Sequence, residues 1–147
     1  MDRQFHQPFQ NEIQVALLQQ ELDLEIQENS VAGETTAIIA MIHNNEIVGA
    51  SVGDSQCWLF DPEFEYELTN LQSRKPLLGS GKATPIGFGP IVFNDRIVLG
   101  TDGLFNYTKM ANIKAALNLS AIDIINLAKT KAGTLQDDCS VITCKKV

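Results

Sequence analysis

The sequence is poor in the residues by which many catalytic and binding scaffolds are recognised. It has three cysteines and two histidines among 147 residues. Cys57, Cys139 and Cys144 are odd in number and never spaced Cys-x-x-Cys, which points away from a disulfide framework and from a zinc site. They read as small buried thiols. His6 falls in a polar lead-in and His43 in a turn, and neither has a Ser or Cys nucleophile setting around it. No Gly-x-x-x-x-Gly-Lys-Ser/Thr loop occurs, which disfavours a P-loop nucleotide enzyme. Basic residues are outnumbered, 11 to 18, for a net charge of -7. A phosphate-backbone binder presents a basic face, so no nucleic-acid partner is expected. No basic-then-apolar leader opens the chain and no apolar run is long enough to span a bilayer. No membrane association and a cytoplasmic location are the expectations.

What remains is an ordinary core-forming composition, 44% hydrophobic, over a length that suits one domain, residues 1–147. Residues 1–10 read as an irregular lead-in. Residues 11–28 read as a helix with Val15, Leu18, Leu22 and Ile26 on its apolar stripe, widened by Ile13 and Leu17. Residues 29–34 break that pattern. Thr35 to Ile42, β-branched and nearly all apolar, predicts a strand covered on both faces. His43-Asn44-Asn45-Glu46 is a hairpin turn, because Asn tolerates left-handed backbone. Strands follow at Ile47 to Val52, Gln56 to Phe60 and Tyr66 to Leu68, which together predict an antiparallel meander. The pair Trp58 and Phe60 reads as core or sheet surface.

Residues 69–90 are punctuated by glycine and proline and read as a long loop, carrying Arg74, Lys75 and Lys82. A phosphate-handling role is open to it, a solvated connection more so. Strands are expected at Ile91–Phe93 and Arg96–Thr101. Thr108 is the expected cap of a helix through Met110, Ile113 and Leu117, and Ser120 with Asp123 forms a capping-box pattern at the head of another that Gly133 stops. Cys139 to Val147 completes the set as a strand. The order predicts an α+β fold.

Three stretches place an aspartate where an apolar strand begins or ends: Val52-Gly53-Asp54-Ser55, Val98-Leu99-Gly100-Thr101-Asp102-Gly103, and Gln136-Asp137-Asp138-Cys139-Ser140-Val141. Carboxylates gathered from three strand ends are what a hard divalent cation requires. Each also has a plainer reading. Asp54 suits a turn, Asp102 suits a cap, and Asp137-Asp138 suit an exposed loop in which only one of the two faces any given site.

These motifs, in this order, resemble the metal-dependent protein serine/threonine phosphatases of the protein phosphatase 2C family. Gly33-Glu34-Thr35-Thr36-Ala37 looks like the family's Gly/Ser-x-Thr-Ala stretch. Ala50 to Ser55 looks like its Val-Gly-Asp-Ser motif. Leu99 to Phe105 looks like its Ser/Thr-Asp-Gly-Leu-aromatic motif, and Gln136 to Val141 like its Asp-Asn/Asp-x-Ser/Thr-Val motif. The match spans about residues 30–147. It implies an antiparallel β-sandwich flanked by helices, with two Mn²⁺ or Mg²⁺ ions at one end. Asp102 and Asp137 match metal ligands, and Asp54 matches a residue near the centre associated with a weaker third metal position. Hydrolysis by a metal-activated water is implied, with no protein nucleophile, acting on phosphoserine and phosphothreonine of a phosphorylated protein substrate.

The family's N-terminal motifs, a phosphate-gripping Arg, a Glu-Asp pair and the Asp-Gly-x-Gly-Gly strand with the bridging aspartate, have no counterpart before residue 30. The expectation is therefore an N-terminally incomplete body of such a phosphatase, with weak or partial metal binding. The alternative is a non-catalytic phosphatase-like binding or regulatory module. Missing strands would leave open sheet edges, and a homo-oligomer through those edges is expected.

Overall fold

The computed structural model describes residues 7–29 and 33–147. Residues 1–6, with His6, and residues 30–32 lie outside them, so the expected lead-in and break fall there only in part; residues 7–10, expected to be irregular, are helical. The elements are α1 (Gln7–Glu28), β1 (Ala37–His43), β2 (Glu46–Val52), β3 (Gln56–Phe60), β4 (Glu65–Glu67), β5 (Ile86–Val92), β6 (Arg96–Gly100), α2 (Asp102–Phe105), α3 (Met110–Ala115), α4 (Ala121–Asn126) and β7 (Val141–Lys145). They fall into two compact units, Met1–Ser55 with Leu68–Phe93, and Gln56–Glu67 with Asn94–Val147. Each unit holds one antiparallel sheet and its own helices, an α+β fold.

In the first unit the strand order is β1-β2-β5 and α1 lies on β2 and β5. The expected hairpin is present. His43 pairs with Glu46, and Asn44 and Asn45 take φ of 48° and 65°, the left-handed pair that a two-residue turn needs to match strand twist. The glycine-rich stretch differs from expectation, since residues 86–90 belong to β5 and extend the strand expected at Ile91–Phe93 backwards into the expected loop. Two features permit this. β5 is an edge strand, where Pro90 removes no ladder bond that matters. Gly89 and Pro90 form a β-bulge in β5 opposite Val48 of β2, and a Cβ on Gly89 would stand 2.2 Å from the Ile47 carbonyl oxygen.

The buried face of α1 is only in part the predicted stripe: Val15, Leu22 and Ile26 face the core, and Leu17 and Leu18 do not. Leu17 and Leu18 are exposed, while Val15, Gln19 and Asp23 are buried, the last two at 0% and 2% exposure. The spacing i, i+4, i+8 is helical, but the residues are polar because the surface beneath them is backbone. Gln19 Nε2 donates to the Ala50 carbonyl at 3.2 Å. Asp23 Oδ1 accepts from the amides of Gly79 at 2.5 Å and Gly81 at 3.2 Å, and Oδ2 from Ala83 at 3.0 Å. Leu22 and Ile26 flank this row and pack on Val52, Leu78 and Ala83. A second correction concerns β1. It was expected to be covered on both faces, yet Met41 and Ile42 are exposed, since α1 sits over β2 and β5 and leaves β1 as an edge.

The meander also ends sooner than predicted. β2 pairs with β1 and β5, whereas β3 pairs with β4 and β6. The order in the second unit is β4-β3-β6-β7. Helix-facing residues of this sheet, Phe60 and Val98, join Leu104, Ile113, Ala116, Ile124 and Ala128 in one apolar core. α2 packs on β6 and α4 on β7. The Ser120–Asp123 capping box forms in both directions. Gly133 does not stop α4, which ends at Asn126; with φ of 81° it closes a later turn between Thr130 and Thr134. Thr108 does not cap α3 either. Lys109 holds that position, and the buried Thr108 hydroxyl has no partner.

Candidate functional site

β6 runs buried to Gly100 and delivers Thr101 in extended backbone, φ -74° and ψ 166°, ahead of the single turn of α2. Thr101 is the staple of this corner. Its amide donates to the Ser140 carbonyl at 3.1 Å. Its hydroxyl donates to the Asp138 carbonyl at 3.2 Å and accepts from the Ser140 amide at 3.0 Å. Gly103 closes the contact. A Cβ there would lie 2.2 Å from the Asp138 carbonyl oxygen, 2.9 Å from its carbon and 3.5 Å from the Asp137 carbonyl carbon. The glycine is required by this close approach, since α2 gives it no unusual dihedral.

The corner therefore holds Asp102 and the Asp137-Asp138 pair side by side, though they lie 35 positions apart in sequence. Asp102 is half-buried, and its Oδ2 accepts from Asn106 Nδ2 at 3.3 Å. Asp137 is exposed, and its Oδ1 accepts from the Asp138 amide at 2.8 Å. Among the described residues no lysine or arginine pairs with any of the three.

Asp54 stands in the first unit. Its Oδ2 is 3.7 Å from Arg74 Nη2, whose side chain is 70% exposed, a surface pair of about 0–1 kcal/mol. The turn beneath it is fixed by other groups. Thr36 and Ser55 share a hydroxyl hydrogen bond of 2.7 Å, and Gln72 Nε2 donates to the Ser55 carbonyl at 2.5 Å. Gly53, with φ of 101°, leaves no room for a Cβ, which would press on Thr36 and Leu77.

No protein-family profile matches the sequence, and no curated protein does. Solved structures do. A bacterial serine phosphatase bearing an arginine-to-glutamate mutation superposes with a TM-score of 0.73 at 21% identity, over 100% of this chain and 70% of its own. The fold is that of the bacterial serine/threonine phosphatases. The phosphatase Stp1 from Staphylococcus aureus gives 0.69 at 18% identity, over 100% of this chain and 70% of that one. The catalytic domain of the phosphatase PstP, solved in complex with two manganese ions, gives 0.71 at 16%, over 97% of this chain and 72% of that one.

The donor set of the phosphatase-like corner can be weighed against such ions. Among the described residues, no group of three or more His, Cys, Asp or Glu side chains could hold a metal ion. By number alone, two carboxylates match the donor set of one small cation of the Mg²⁺ kind, which is commonly held by one or two carboxylates and keeps several waters. They do not fit a two-ion centre.

Sequence reasoning marked Asp102, Asp137 and Asp54 but passed over Thr101 and Asp23. Thr101 lies inside the phosphatase motif, yet its role depends on a segment 39 residues away. For Asp23 a signal existed: Gln19 and Asp23 continue the Val15 row at strict i+4 spacing.

Proposed function

We propose that this chain is the later part of a metal-dependent phosphoserine/phosphothreonine protein phosphatase, cytoplasmic, in which Asp102 and Asp137 hold one Mg²⁺ or Mn²⁺. Asp54 is assigned to the same chemistry by motif resemblance alone. What supports the reading is the Thr101–Gly103 staple, which seats two expected ligands at one corner of a phosphatase fold. When bound, a cation there supplies Lewis-acid stabilisation to a phosphoryl group. The chain's own contribution is position. Thr101 and Gly103 fix the backbone on either side of Asp102, and the Asp138 amide orients the Asp137 carboxylate. The two units are read as one phosphatase domain.

The test is a calorimetric Mn²⁺ titration of the wild type, Asp102→Ala and Asp137→Ala, followed by hydrolysis of a small aryl phosphate with each. Weak binding that both substitutions abolish is expected, and identical isotherms would refute the site. A second reading, a non-catalytic binding module, is favoured by the shortage of ligands at the corner. It predicts metal binding without turnover. Self-association is part of the proposal as well: β1 is an apolar edge strand with Met41 and Ile42 exposed, suited to pairing with a second copy. Light scattering should report a dimer, and a monomer at high concentration contradicts it.

A further inference from the structure

The end of β6 remote from Asp102 carries a second charged feature. Arg96 is 7% exposed. Its register partners are Phe60 on β3 and Lys145 on β7, and Phe60 in turn opposes Glu65 on β4. Directly opposed residues project from the same face of a sheet. Glu65, Phe60, Arg96 and Lys145 thus make one row across the second sheet, on the face where Phe60 and Val98 meet the helices. Lys114 of α3 reaches this row, with its Nζ 2.9 Å from Glu65. Asn118, beyond α3, accepts at Oδ1 from Arg96 Nη2 at 3.1 Å.

The charges do not balance. Lys114 takes the one carboxylate of the row. Arg96 is left, among the described residues, with a neutral amide oxygen as its side-chain partner, and its Nε is buried with none. A buried cation lacking a counter-charge costs free energy, and Lys145 directly opposite adds like-charge repulsion. This is a local cationic excess in a chain whose acids outnumber its bases 18 to 11. The adjacent Nε and Nη2 of a guanidinium form the fork that grips two oxygens of one oxyanion. Asn118 is exposed, so its amide can turn to offer Nδ2–H in place of Oδ1.

We propose that Arg96, Asn118 and Lys145 form an anion site that takes a phosphate group, on Arg96 Nε and Nη2, the Asn118 amide and the Lys145 ammonium. The site is independent of the phosphatase reading. It is tested on the whole chain without divalent cation, so that the Asp102 corner contributes nothing. Inorganic phosphate and a phosphoserine peptide are titrated separately at constant ionic strength against chloride, with the Arg96 Nε–H and Asn118 side-chain amide resonances as readout. Saturable shifts at both are expected, weakened about tenfold or more by Lys145→Ala and by Asn118→Asp, both exposed positions that leave the core intact. Arg96→Gln should abolish them. Equal affinity for the two probes assigns the free ion, and a peptide bound tenfold more tightly assigns a protein-borne phosphate. Shifts no larger than chloride produces, or unchanged in Lys145→Ala and Asn118→Asp, overturn the site.

Discussion

Replacing Gly103 by Ala tests whether the Asp102 corner is held as described. The added Cβ would lie 2.2 Å from the Asp138 carbonyl oxygen, about 1.2 Å short of ordinary contact. The obstacle is backbone, so no rotamer change relieves it, and the segment 137–140 has to move away. Overpacking of this kind costs about 1–3 kcal/mol. The same movement strains both hydrogen bonds of the Thr101 hydroxyl, at about 1 kcal/mol each. Alanine returns about 1 kcal/mol through its better helix propensity in α2. The net destabilisation is roughly 2–4 kcal/mol, which moves a urea midpoint down by about 1–2 M. Hydrogen exchange supplies a local readout, because the Ser140 amide donates to Thr101 Oγ1 and should lose protection. The control is Gly133→Ala. No atom lies within 4 Å of a Cβ there, so only the strain of its 81° φ remains, about 1 kcal/mol. If Gly103→Ala unfolds within about 0.5 kcal/mol of wild type and Ser140 stays protected, the corner is not packed as argued.

Substitutions at two further positions probe the cores. Asp23→Ala removes the acceptor of three backbone amides on α1's buried face and is expected to cost roughly 3–5 kcal/mol by urea unfolding; Asp23→Asn, which keeps one acceptor oxygen, should cost less. Burial, and secondarily the charge of Cys144, push the Cys57 thiol up from 9.0 to about 12. Below pH 9 folded and unfolded chains both keep that proton. Above it the unfolded chain releases the proton first, so stability falls as pH rises from about 9 to 12, by up to about 4 kcal/mol. Unfolding across that window should be steeper for wild type than for Cys57→Ala, and parallel slopes would show that Cys57 does not contribute.

The sequence alone settled what depends on neighbours a few residues away. The Asn44-Asn45 turn follows from the backbone tolerance of asparagine, the Ser120–Asp123 box from hydroxyl and carboxylate three positions apart, and the strands from their apolar β-branched runs. The order of the aspartate motifs was likewise legible, and with it the phosphatase fold. Tertiary structure decided the rest. Val15, Leu22 and Ile26 of α1 were legible, but the burial of Asp23 between them was not, because hydrophobic periodicity cannot see that Asp23 meets amides 56 to 60 residues away. The sheet that β3 joins was misread because adjacency in sequence favours a hairpin, whereas both edges of β3 are taken by β4 and β6. Burial of Arg96 and the close approach of Gly103 to Asp138 follow the same rule. Each is a property of two segments brought together, and a linear pattern records each segment but not their meeting.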